Sequence, residues 1–269
     1  MAQCQTPITR KHETNIYTLP CGKCPNCYKR RVSQWSFRLM EEDKKSSSSL
    51  FITLTYDTNK VPLTKKGFMT LQKRDVQLFM KRLRKANRNQ LKYFLCGEYG
   101  GKTKRPHYHV ILFNANLETI QKVWDNGHVH YGQVSEASVG YTLKYMMKPQ
   151  RVPEHKNDDR DKEFQLMSKG IGITYITDST IKWHKADIEQ RLYLNLTDGK
   201  KISMPRYYKD KIYDRDQRLQ QKAYWTEKIY QDLEEMAYNP NINKILRDKK
   251  ESIKQQYKKM QLDSLTRKN

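Results

Sequence analysis

No run approaches the ~18 consecutive apolar residues that a membrane span needs, which excludes an integral helical membrane protein. The opening MAQCQTPITRKHE has no apolar signal-peptide core, so the cytosol is the expected place of work. No G-x-x-x-x-G-K-[ST] segment is present, so any helicase must come from elsewhere. There is no internal repeat. Acidic residues are scarce: 29 Asp+Glu stand against 52 Lys+Arg, a net charge of +23 over 269 residues. An excess of that size points to a polyanionic partner, most often nucleic acid. Phenylalanine is also scarce, at seven against eighteen tyrosines, and amphipathic rings suit the stacking of single-stranded bases.

Cysteines are few, and four of the five lie in the first 27 residues. Cys21, Cys24 and Cys27 form CGKCPNC, with Gly22 and Pro25 shaping a tight knuckle; Cys4 precedes them and Cys96 stands apart. In a cytosolic chain such clustering favours metal ligation over disulfides. With Cys4 as fourth ligand the set suits a structural Zn²⁺ tying an N-terminal strand to the next helix, since four thiolates leave no open position for chemistry. Free thiols are the plainer alternative, and an iron–sulfur cluster lacks the C-x3-C-P continuation. Cys96, inside the apolar run Leu91–Cys96, reads as a small buried residue.

The periodicities predict an α+β fold, an antiparallel central sheet with flanking helices. Helices are expected over Tyr28–Lys44, around Val76, Phe79, Met80 and Leu83, near Leu117–Trp124 and over Ser138–Lys148. Strands are expected at Phe51–Tyr56, Leu91–Glu98, His107–Phe113 and His128–Val134. Residues 150–163 read as a polar loop and Arg191–Met204 as a hairpin. From Asp214 the chain is helical and polar, and Lys244–Asn269 carries nine basic and three acidic residues. That segment is a solvated helix or a nucleic-acid-binding arm.

One constellation carries chemistry. Residues two apart on a strand share a face, so His107 and His109 offer two imidazoles to one ion. Glu98, nine residues upstream across the hairpin turn Tyr99–Arg105, brings a carboxylate beside them. Two imidazoles and a carboxylate leave positions open for a substrate oxygen on a divalent cation. The other His-x-His, His128 and His130, has no such carboxylate and reads as exposed or DNA-facing. Tyr141 and Tyr145 are one helical turn apart and project from one face, with Lys144 able to stabilise phenolate or charge on phosphorus. Arg30, Arg31, Lys81, Arg82, Arg84 and Lys85 are candidates to track phosphates, or are ordinary helix-surface charge.

FITLTY, the Glu of CGEYG, HYH and YxxKY, in that order, resemble the HUH endonucleases. An N-terminal Cys, LPCGKCPNC, SQWSFRLM, CGEYGGKTKRPHYHVILF, LMSKGIGITYI and MPRYY resemble more closely the rolling-circle replication initiators of small single-stranded DNA phages, the gokushovirus-like Microviridae. The resemblance runs from about residue 4 to 210. It implies Mg²⁺ or Mn²⁺ held by Glu98, His107 and His109, and Tyr141 and Tyr145 as two nucleophiles with Lys144 as their electrostatic partner. It implies nicking of a single-stranded DNA origin through a 5′-phosphotyrosine, host helicase and polymerase as partners, and the cytoplasm of an infected bacterium as the setting. The implied organisation is a knuckle over 1–30 packed on the core, a nickase core over 31–150, an extension with a hairpin over 151–213 and a basic helical segment over 214–269. A transposase or relaxase would use the same groups. A zinc-stabilised single-strand-binding or packaging protein would keep the charge and the knuckle but leave Glu98, His107, His109, Tyr141 and Tyr145 as coincidence.

Overall fold

The computed structural model describes residues 4–13, 15–144, 152–196 and 199–265. An N-terminal hairpin, β1 (Ile8–His12) and β2 (Asn15–Leu19), leads through the cysteine knuckle into α1 (Pro25–Asp43). There follow β3 (Ser49–Thr55), α2 (Lys73–Ala86), β4 (Lys92–Tyr99), β5 (Pro106–Phe113), α3 (Leu117–Val123), β6 (Val129–Gln133), α4 (Glu136–Lys144) and β7 (Phe164–Met167). The remainder is α5 (Asp178–Lys185), a short hairpin of β8 (Tyr193–Asn195) and β9 (Lys201–Ser203), then α6 (Arg206–Ile212), α7 (Arg215–Ala237) and α8 (Ile242–Leu265). None of the described helices is long and apolar enough to cross a membrane.

Two compact units emerge, one of residues 1–34 with 175–265 and one built on 35–174, the division falling within α1. The second unit holds a five-stranded antiparallel sheet in the order β6-β3-β5-β4-β7. Strand alternation gives this sheet two different faces. One carries Ile52, Leu54, Leu95, Tyr108, Val110 and Leu112 into a core with Val76, Phe79, Met80 and Leu83 of α2 and with Trp124. Those α2 positions are spaced i, i+3, i+4, i+7, so one stripe of the helix is buried, each large side chain contributing ~1.5–3 kcal/mol. The other face carries Thr53, Cys96, Glu98, His107 and His109, brought together by the register rather than by apolar burial. Near β6, the chain at Gly127 lies so close to the backbone of Thr55–Asp57 that any β-carbon would collide with it.

The expected α+β architecture is present, with the cysteine cluster and the C-terminal helices. Two features are additional. The N-terminal strand is a two-stranded hairpin, and the central sheet gains a fifth, edge strand, β7, from the FQLM stretch that ends just before Ser168. Helix α4 is described only to Lys144, so the expected continuation to Lys148 lies outside the described residues.

Candidate active site and cysteine centre

The cysteine knuckle lies wholly within the first unit. Gly22 sits at φ +73°, a left-handed conformation that glycine adopts without cost, and this folds Cys21 back over the start of α1. The Sγ atoms of Cys4, Cys21, Cys24 and Cys27 all lie within 4.8 Å of one another. Cys4–Cys24 and Cys21–Cys27 are 3.9 and 4.0 Å apart. A tetrahedron with metal–sulfur bonds of ~2.3 Å has edges of about 3.8 Å, so the cluster fits an ion of that size. Backbone amides of Cys24 and Cys27 donate to Cys21 Sγ and Cys24 Sγ at 3.2 and 3.4 Å, and that of Cys21 donates to Cys4 Sγ at 3.3 Å. The Thr6 hydroxyl, donating to Cys21 Sγ, and nearby amides hold that thiol down to about 5, against desolvation, whereas burial pushes Cys27 up to about 12. Four sulfurs this close cannot all shed protons unless a cation shares their charge.

The second cluster follows from the hairpin β4–β5, where Glu98 is the register partner of His107 and Cys96 of His109. The Glu98 side chain therefore lies on the same sheet face as both imidazoles. Its Oε1 is 2.9 Å from His107 Nε2 and 3.2 Å from His109 Nε2. Glu98 and His109 are buried; His107 is partly open. His107 Nδ1 lies 3.2 Å from the carbonyl oxygen of Arg105, which only accepts, so Nδ1 donates there. That leaves Nε2 to meet the carboxylate either as a second N–H or as a lone pair turned on a cation. His109 is held from three sides. Its Nδ1 hydrogen-bonds Thr53 Oγ1 at 3.0 Å, Phe51 stacks on its ring at 5.7 Å, and Tyr141 meets it edge-on at 5.4 Å. Partners at the far nitrogen orient a ligating imidazole and fix its tautomer.

Tyr141 comes from α4, whose start is closed by reciprocal bonds of Ser135 and Ser138. Val139, Thr142 and Leu143 are buried, and Cys96 Sγ donates to the Thr142 carbonyl at 3.8 Å, which seats this helix against β4. The Tyr141 ring is 44% exposed, so it touches His109 and is reachable from solvent. Lys144 ends the described part of α4, and Tyr145 lies outside the described residues. Cys96 itself is buried, and burial raises its thiol pKa, as suits a packing residue.

The candidate phosphate-tracking residues have different surroundings. Arg82 makes a two-point pair with Asp125, at 2.8 and 3.3 Å. The Arg84 guanidinium lies over the Tyr93 ring, while Lys81 and Lys85 are exposed. All four belong to α2, which covers the sheet face opposite the Glu98 cluster. Arg30 reaches Cys27 Sγ at 3.8 Å, and Arg31 donates to the Gly22 carbonyl at 3.2 Å. His128 and His130 are exposed, with His128 Nε2 3.7 Å from Asp57 Oδ1. Thr53, Phe51 and the Arg105 carbonyl were not singled out by sequence. The signal for the first two is the alternation in FITLTY, which puts Phe51, Thr53 and Thr55 on the histidine face.

The family model of the replication-associated protein ORF2 matches residues 49–150, the stretch from β3 through α4. Replication-associated protein VP4 of Bdellovibrio phage phiMH2K is 30% identical over 225 residues, covering 74% of this chain and 68% of that protein. Replication-associated protein ORF2 of Spiroplasma virus 4 is 28% identical over 239 residues, covering 80% and 71%. Replication-associated protein ORF4 of Chlamydia phage 1 is 25% identical over 224 residues, covering 72% and 53%. No solved structure matches.

Proposed function

The chain belongs to the family of phage replication-associated proteins, and we propose that it starts rolling-circle replication by nicking single-stranded origin DNA. The observation that supports this reading best is one carboxylate oxygen within 3.2 Å of two imidazole nitrogens, with a reachable tyrosine against the second ring. Glu98, His107 and His109 would hold Mg²⁺ or Mn²⁺, which when bound supplies Lewis acidity toward the scissile phosphate. Tyr141 attacks phosphorus in line. The new phenolic O–P bond replaces the P–O3′ bond, the phenol proton is lost to solvent, and the departing 3′ oxygen takes up a proton. The products are a 5′-phosphotyrosine and a 3′-hydroxyl that primes a host polymerase, with strand separation by a host helicase.

Tyr145 is the second nucleophile in this reading. It cuts the regenerated origin, and the freed 3′-hydroxyl attacks the first phosphotyrosine to close the circle. Lys144 offsets charge on phenolate or phosphorus. Each exchange is a transesterification, so the bond energy is kept and no nucleotide triphosphate is consumed. The cysteine centre would hold Zn²⁺ in a structural role, and Arg30, Arg31, Lys81, Arg84 and Lys85 would contact phosphates. The setting is the cytoplasm of the infected bacterium.

A covalent-adduct assay tests the reading. Purified chain is mixed with 3′-labelled single-stranded oligonucleotides tiling the cognate genome, with Mn²⁺ or EDTA, and run on a denaturing gel. A metal-dependent labelled band at protein size, absent in Tyr141→Phe/Tyr145→Phe, is expected. Tight binding with no adduct on any tile would favour the non-catalytic binding protein instead.

A further inference from the structure

The segment MPRYYKD, which the nicking chemistry leaves without a role, forms α6 and one wall of a cleft of about 460 Å³ in the first unit. The opposite wall is the first half of α7. Four cationic side chains line this cleft, Arg206 and Lys209 from α6 and Arg218 and Lys222 from α7. One carboxylate, Asp210, lines it with them, and it is already shared, bonding Arg218 Nη1 at 2.7 Å and Arg206 Nε at 3.3 Å. Lys209 is in no ion pair among the described residues. Burial and the positive charge of Arg30 lower its pKa, with Asp210 acting in the other direction. Gln221 also lines the cleft. It is only 5% exposed, and its amide Nε2 is buried without a hydrogen-bond partner.

A buried amide donor without an acceptor costs ~1–3 kcal/mol, and three positive charges in excess of one carboxylate repel one another. An anion that accepts several hydrogen bonds relieves both at once. We propose that this cleft binds a phosphate group, with Lys209 Nζ and Gln221 Nε2 as its direct donors and Arg206 and Arg218 as its flanking charges. The group is the phosphodiester of a nucleic-acid backbone, which gives the chain a phosphate contact outside the Glu98 cluster. That choice of source rests on the DNA-nicking reading; the phosphate chemistry of the cleft does not.

Two probes on the full chain in EDTA separate the sources. Trp225 lines the same cleft, so its fluorescence reports pyrophosphate binding, with Trp225→Phe as the control that the signal is local. Anisotropy of a labelled thymidine oligomer reports single-stranded DNA. Lys209→Gln and Gln221→Leu are expected to weaken oligomer binding, about tenfold for the lysine, with Lys209→Arg restoring it. In Lys209→Gln the slope of log K against log salt should become shallower by about 0.7, the share of one phosphate no longer neutralised. If both variants lose pyrophosphate but bind the oligomer like wild type, the cleft takes a free phosphate and the backbone assignment fails. If neither probe responds to either substitution, the site is overturned. Adduct formation with Mn²⁺ is read separately, so its failure with phosphate binding intact counts against nicking and leaves the cleft standing.

Discussion

Thr53 and His109 are register partners on β3 and β5, and the hydroxyl at 3.0 Å from Nδ1 sets which way the ring turns its Nε2. Phe51 stacking blocks one rotation of that ring and the Tyr141 edge contact another, so the imidazole is oriented before any ion arrives. Removing the hydroxyl while keeping the volume should therefore loosen the ligand without disturbing the sheet. Thr53→Val is expected to weaken Mn²⁺ binding about 10–100-fold, the usual effect of removing a partner behind a metal ligand, and Thr53→Ser to restore most of it. Calorimetric titration of Mn²⁺ checks this, and equal affinity in all three proteins would remove Thr53 from the site. Glu98→Gln should be more severe. It replaces one carboxylate oxygen by an amide and leaves both Nε2 atoms without a charged partner, so no metal-dependent adduct should form on the gel.

Among the elements, α5 shows how a buried titratable group couples folding to pH. His184 is fully buried, its Nδ1 donating to the Arg191 carbonyl and its Nε2 accepting from the Tyr175 hydroxyl, both at 2.8 Å. The neutral ring is fully satisfied there, and burial lowers its pKa. Unfolded, the same ring titrates near 6.5. Between the two values the unfolded chain binds the extra proton, so stability rises with pH and is lost on acidification below about 6.5. The melting temperature should fall from pH 7.5 toward pH 5.5, and less steeply in His184→Gln; an equal slope in the variant would exclude His184 as the source. The start of α1 depends on the cysteine centre in the same way. A strong chelator, or Cys24→Ala, should release about one equivalent of Zn²⁺ and open residues 4–27 to protease, measured by metal analysis and limited digestion.

Elements with strong internal periodicity were legible in the sequence, and those held by distant partners were not. β3 and β5 are rich in β-branched and aromatic residues, and α2 has an unbroken apolar stripe, so each announces itself. β7 is four half-buried residues without a β-branched side chain, and it becomes a strand only because β4 offers it an open edge. β1 and β2 are exposed and largely polar, so no burial pattern marks them. The Glu98–His107–His109 cluster was legible because a single hairpin makes it. The grip of Thr53, Phe51 and Tyr141 on His109 depends on β3 and α4 being brought to β5 from far away in sequence.

At the scale of the whole molecule, the net charge of +23 does not give the number of cations available to DNA. Many are already engaged: Lys92 with Glu42, Lys104 with Glu154, Arg160 with Asp158, Arg82 with Asp125. A guanidinium that already has its carboxylate gains little by exchanging it for a phosphate, and it releases no condensed counterion of its own by doing so. Lys81 and Lys85, on the same helix, are in no ion pair among the described residues and stand exposed. They also lie on the sheet face away from the Glu98 cluster, so a strand held at that cluster reaches them only by passing round an edge of the sheet. The three residues thus make a test of charge that is counted against charge that is available. For single-stranded DNA each phosphate neutralised contributes about −0.7 to the slope of log K against log salt. Lys81→Gln/Lys85→Gln should make that slope shallower by up to about 1.4 if both lysines lie on the path of the strand. Arg82→Gln should leave the slope where it is and, as an exposed pair, cost at most about 1 kcal/mol of stability. Should Arg82→Gln flatten the slope as much as the lysine pair does, Asp125 does not hold the guanidinium against DNA, and bulk charge governs binding rather than which cations are already paired.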